Sequence, residues 1–115
     1  ECTAHANYKQ MVLRARDRDT VVTGASTGHP VRVLQNRLAK EFMRLEKQGL
    51  PVAELEKLGA GKLAAAVRQG DVQGGSVMAG QSAALVNRLE PAAAIIDDLV
   101  TGTVKVIKEL QRKYC

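Results

Sequence analysis

The run Asp71-Val72-Gln73-Gly74-Gly75-Ser76-Val77-Met78-Ala79-Gly80-Gln81-Ser82 gathers the groups best suited to holding a small ligand. Its three glycines let backbone N–H groups approach a flat or anionic molecule with no Cβ in the way. Met78 brings a soft thioether that lies well against a ring, and Gln81 carries both a donor and an acceptor. On composition alone the run is a tight loop between helices. The other chemistry-bearing residues form no complete catalytic constellation. His5 and His29 have no carboxylate partner at helical spacing, and a lone histidine is more often a structural hydrogen-bonding residue than a base. Ser26, Ser76 and Ser82 sit in no nucleophile elbow. Asp97 and Asp98 are adjacent, so on a helix they point to different sides and make a poor acid–base pair. There is no Cys-x-x-Cys and no metal-ligand spacing.

A second pattern concerns charge. Arg37, Lys40, Arg44 and Lys47 share one helical face, with Leu34, Leu38, Phe42 and Leu45 opposite and no acid interrupting the basic stripe. Residues 1–48 hold nine Lys/Arg against five Asp/Glu and so carry most of the formal charge of +5. The usual meaning of such a stripe is a solvated face. The sharper meaning is a docking strip for an acidic partner. Charge alone would allow nucleic acid, but the only aromatics are Tyr8, Phe42 and Tyr114, too few for a base-stacking platform.

These residues need elements to position them, and the chain reads as mostly helical with a short β-hairpin. The pattern predicts a helix from Asn7 to Arg16, then β-branched Thr20–Thr23 as a strand. Gly24–Pro30 is a turn, and Val31–Leu34 a second extended piece closing the hairpin. A helix follows from Asn36 to Gln48, ended by Gly49. Pro51 suits the first turn of another helix through Leu58. Gly59 and Gly61 break it, and Lys62–Gln69 is a further helix stopped by Gly70. After the glycine run, Gln81–Arg88 is predicted helical. Glu90-Pro91 opens the longest helix, to about Lys113, with Ala92, Ile95, Ile96, Leu99, Thr103, Val106, Ile107, Leu110 and Tyr114 on one stripe.

Composition excludes several classes. No apolar run approaches the ~20 residues of a membrane span, so no membrane role is expected. The length allows one small domain with a modest core of Leu, Val, Ile and Ala. Cys2 and Cys115 stand at the two ends; a disulfide between them is open, but free thiols in a reducing cytoplasmic compartment are the favoured reading.

The wording of several segments adds a resemblance. Gly74-Gly75-Ser76 followed by Met78-Ala79-Gly80-Gln81-Ser82 resembles the late flavin-facing segment of the nitronate monooxygenase family, which includes the FMN-dependent enoyl-acyl-carrier-protein reductases of bacterial fatty acid synthesis. Glu1-Cys2-Thr3-Ala4-His5-Ala6-Asn7-Tyr8-Lys9, Leu13-Arg14-Ala15-Arg16-Asp17, Gly28-His29-Pro30-Val31-Arg32-Val33-Leu34, Asn36-Arg37-Leu38 and Gly59-Ala60-Gly61-Lys62-Leu63-Ala64 are similar to it in order. The match is closer to the reductase branch than to nitronate oxidation.

The resemblance implies a (β/α)₈ barrel with FMN at its mouth. Such barrels take about 250 residues, so the chain is expected to be the C-terminal part of a larger flavoenzyme that uses NAD(P)H. Residues 1–6 would follow the last barrel strand, 7–73 would form a small lid domain, and 74–115 would supply the flavin-pocket segment and a helix packed on the barrel. Gly75, Ser76, Met78, Ala79, Gly80, Gln81 and Ser82 are then the expected FMN-binding residues. No catalytic residue is expected in this chain, because the family's Gly-Gly-His segment lies outside it, and the chain alone should be inactive. Acyl carrier protein, which is strongly acidic, becomes the expected partner of Arg37, Lys40, Arg44 and Lys47. If the long helix lacks its barrel, a second copy in a homodimer is another partner for its apolar face. Nitronate oxidation on the same scaffold and a non-catalytic helical interaction module remain the alternatives.

Overall fold

The computed structural model describes residues 1–115. It is mostly helical with one antiparallel hairpin, as the patterning predicts. The order is α1 (Ala6–Leu13), β1 (Thr20–Thr23), β2 (Val31–Leu34), α2 (Arg37–Lys47), α3 (Val52–Gly59), α4 (Lys62–Gln69) and α5 (Ala92–Tyr114), with 3₁₀ turns at Ala25–Thr27 and Gln81–Leu85. β1 and β2 pair in the register Thr20 with Leu34 through Thr23 with Val31. The far edge of β2 is also used. Leu34 N–H donates to the Val77 carbonyl at 2.8 Å, and Val33 bridges to Met78 in antiparallel sense. The end of the glycine run therefore lies against β2 like a minimal third strand.

Each helix has a local reason for its limits. α2 starts where the Asn36 side chain caps the Ala39 N–H at 2.8 Å. Its apolar side goes inward, with Leu38 and Ala39 buried. α1 stops at Leu13, short of the predicted Arg16, because Asp19 turns the chain: its carboxylate accepts from Arg16 N–H at 2.8 Å and its own N–H donates to the Arg16 carbonyl at 3.0 Å. The predicted helix Gln81–Arg88 is a 3₁₀ turn that ends at Leu85. Gly80 offers no side-chain cap and the Val86 N–H reaches only to the Ala83 carbonyl, so the segment closes as a 3₁₀ turn that buries Ala83 beside Val77. α4 ends at Gly70, whose φ of +73° suits glycine. A Cβ there would also strike the His5 ring.

The core is small. Thirteen of 115 residues are buried, and Leu34, Ala66, Val77 and Ala83 form its centre, with Tyr8, Met11, Val12 and Val72 packed around them. Val77 and Ala83 thus share one core with α1, β2 and α4. α5 stands apart. The chain measures 58 × 31 × 20 Å, with a radius of gyration of 18.1 Å, against about 13 Å for a compact domain of this size. Its apolar stripe is open: Ile96, Leu99, Ile107 and Tyr114 are each more than half exposed. An Arg88 bridge to Glu90 (2.8 Å) and to Asp98, together with the Glu1 carboxylate accepting from Ala92 N–H at 2.9 Å, ties down its first turns. No helix is long and apolar enough to cross a membrane.

Candidate functional site

The glycine run divides into an anchored half and an open half. Asp71 opens it with a side-chain turn, its carboxylate accepting from Gly74 N–H at 2.7 Å and Gln73 N–H at 3.3 Å. Gly75 is buried against α4. A Cβ there would lie 2.7 Å from the Ala66 amide nitrogen and press on the Asp71 carbonyl, so the glycine is needed for packing inside this chain. Ser76 is half-buried and its N–H donates to the Lys62 carbonyl at 2.9 Å. Val77 is fully buried.

Asn36 locks this half from below. It is 5% exposed, and its amide donates to the Val72 and Gly75 carbonyls, both at 2.8 Å, while its oxygen caps α2. One side chain thereby fixes the run to the start of α2. The Tyr8 hydroxyl, seventy residues away in sequence, donates to the Met78 carbonyl at 2.5 Å. Burial, and secondarily the nearby Cys2, push the Tyr8 hydroxyl above its ordinary pKa, which keeps it a donor. The sequence places Tyr8 within the first helix and Asn36 at a helix start, and shows neither anchoring role. The only signal was the capping residue type at Asn36.

Beyond the anchor the run faces outward. Met78 is 40% exposed, and Gly80, Gln81 and Ser82 are exposed, with Ala79 half-buried behind them. Gly80 differs from Gly75. Its φ of −74° suits any residue, and a Cβ there would meet only the Ser82 hydroxyl at 4.0 Å. Nothing within the chain requires glycine at that position. The structure thus groups Met78, Gly80, Gln81 and Ser82 on one open edge and sends Gly75 inward.

The other singled-out residues lie elsewhere. Arg37, Lys40, Arg44 and Lys47 are all exposed on the outer side of α2; Glu41, also exposed, borders the stripe. His5 caps α1 through Nδ1, which accepts from Asn7 N–H at 3.1 Å, a structural role. His29 is exposed in the hairpin turn. Cys2 and Cys115 are exposed free thiols. No group of three or more His, Cys, Asp or Glu side chains is placed to hold a metal ion.

A cavity of about 190 Å³ lies beside the run, between the hairpin turn and helices α2, α3 and α4; Ser76 and Met78 form one wall. Glu46 holds that hairpin turn in place, its carboxylate accepting from Gly24 N–H (3.1 Å), Ser26 N–H (3.1 Å) and the Ser26 hydroxyl (2.8 Å). Desolvation alone would raise its pKa, but the bonds from Ser26 and Gly24 together outweigh it and hold the carboxyl below its usual range.

Comparison with known proteins follows the same geometry. The family model described as nitronate monooxygenase matches residues 1–102. FabK from Thermotoga maritima superposes with a TM-score of 0.90 at 38% identity, covering 97% of this chain and 35% of that one. A single-residue mutant of FabK from the same organism gives 0.78 at 34% identity, covering 97% and 32%. No curated protein matches. The chain spans about a third of the length of these solved structures. It belongs to the nitronate monooxygenase family.

Proposed function

We propose that this chain supplies the small unit and one flavin-facing wall of an FMN-dependent oxidoreductase, built whole as a (β/α)₈ barrel, that reduces trans-2-enoyl-acyl-carrier-protein with NAD(P)H. The observation that carries this reading is the open edge Met78–Ser82, pinned at the Met78 carbonyl and backed by a buried Val77. The edge fits a flat ring. Gly80 leaves free space on its outer side, Met78 presents its thioether, and the Gln81 side chain makes no bond within the chain. Bound FMN supplies the hydride chemistry itself. The chain's own residues would hold and orient it: Met78 would lie against the ring, Gln81 and Ser82 would offer polar groups to its edge, and Tyr8 and Asn36 keep the wall preformed so that little ordering is left for binding. The exposed basic stripe of α2 is the docking strip for the acidic carrier. The two exposed thiols suit a reducing cytoplasm.

The test is product analysis on the whole protein that carries this chain. Crotonyl thioester with NADH or NADPH should lose its double bond, and propyl nitronate should be turned over poorly. A second reading, nitronate oxidation, is favoured by the description of the matching family model. Nitronate turnover without thioester reduction would move the assignment there, and absence of both activities would leave the non-catalytic module.

A further inference from the structure

We propose that the cavity beside Met78 is an acyl-chain pocket, taking a hydrocarbon chain along its floor and the chain's carbonyl or carboxylate head at Lys62. This deepens the enoyl-thioester reading and rests on it. The floor is largely aliphatic: Val33, Leu38, Ala39 and Leu55 are all buried, alongside the buried polar residues Thr23 and Asn36, and Leu63 forms part of the rim. Three polar groups of the lining have no partner within the chain. Lys62 is half-buried and joins none of the three ion pairs of the chain. The Ser76 hydroxyl and the His29 ring, which also line the cavity, make no hydrogen bond within the chain. Glu56 is the one carboxylate among the lining residues, and it is exposed to water.

Size selects the ligand. Pockets that enclose a whole drug-sized molecule run to roughly 300–1,000 Å³. A cavity of about 190 Å³ cannot enclose a nucleotide and suits a single chain. Its chemistry agrees, since the only rings in the lining are Phe42 and the exposed imidazole of His29, which make no stacking platform. Met78 lines the cavity and belongs to the open edge, so a chain seated here would have its head close to that edge.

Direct titration of the whole protein that carries this chain tests this independently of turnover, using butyrate, octanoate, octanol and nicotinamide mononucleotide as probes. Octanoate should bind saturably, and affinity should rise roughly two- to fourfold for each methylene added beyond butyrate. Leu63→Trp, at an exposed position on the rim, should weaken octanoate by at least about tenfold with the circular dichroism spectrum unchanged. Lys62→Met should weaken octanoate and leave octanol unaffected, because only the carboxylate needs the ammonium. Affinity independent of chain length, octanoate binding that survives Leu63→Trp in a folded variant, or displacement of octanoate by the mononucleotide would overturn the assignment. Loss of the enoyl reductase reading would appear instead in the product assay, whatever these titrations give.

Discussion

Two glycines five residues apart do opposite work, and the difference lies in what stands against them. Gly75 is closed in by Ala66 and Asp71, whereas Gly80 faces open space. Gly75→Ala should therefore destabilise the chain by about 1–3 kcal/mol, the usual cost of overpacking, seen as a lower urea midpoint. Asn36 carries more. Asn36→Ala removes a helix cap and leaves the Val72 and Gly75 carbonyls without their donor. A loss of about 2–4 kcal/mol follows, and a loss below 1 kcal/mol would show that water replaces the amide. At this scale the sequence was legible only in part. The glycine run announced itself by composition, and Asn36 by its residue type before a helix. The partners that give Asn36 its weight lie 36 and 39 residues away, a distance no local pattern reports. The same holds for Tyr8 and Met78.

The elements were more legible because their causes are local. β-branched runs made the hairpin, and apolar spacing with Asn36 and Gly49 at the ends bounded α2. The failure at Gln81–Arg88 was a matter of tertiary demand: Ala83 must be buried beside Val77, and the chain tightens into a 3₁₀ turn to do so. Two predictions belong here. Glu46 has a depressed pKa in the folded state, so its stabilisation of the hairpin turn is present above the unfolded value of about 4.3 and fades as pH falls through the folded value. The protection factors of the Gly24 and Ser26 amides should fall in that acid window, and Glu46→Gln should remove the pH dependence. The second concerns α2. Changing Arg37, Lys40 and Arg44 to Glu in the whole protein should raise KM for an acyl-carrier-protein substrate, and less so for a coenzyme A analogue, with the gap closing in high salt. Equal effects on both substrates at low ionic strength would return the stripe to a solvated face, a role that Glu41 at its border would suit.

At the scale of the molecule, the open stripe of α5 and the open edge Met78–Ser82 are the surfaces this chain leaves without a partner of its own. The amphipathic period of α5 was plain in the sequence; what covers its apolar side was not, since periodicity tells only which face is apolar, and the family resemblance alone pointed to a cover outside these residues. Under the proposed function both surfaces turn toward the rest of the enzyme, α5 onto the barrel wall and the edge onto FMN. The most direct measurement of that claim is the flavin content of Gly80→Val in the whole protein, taken together with its thermal stability. Within the chain a Cβ at Gly80 meets only the Ser82 hydroxyl at 4.0 Å, so the melting temperature with flavin removed should match that of the parent. A branched side chain on the flavin side should cost about 1–3 kcal/mol of binding, weakening FMN about fivefold to 150-fold. A variant that folds normally and loses FMN is the predicted result; one that folds normally, keeps full FMN and turns over at the parent rate would contradict the placement of Met78–Ser82 on the flavin.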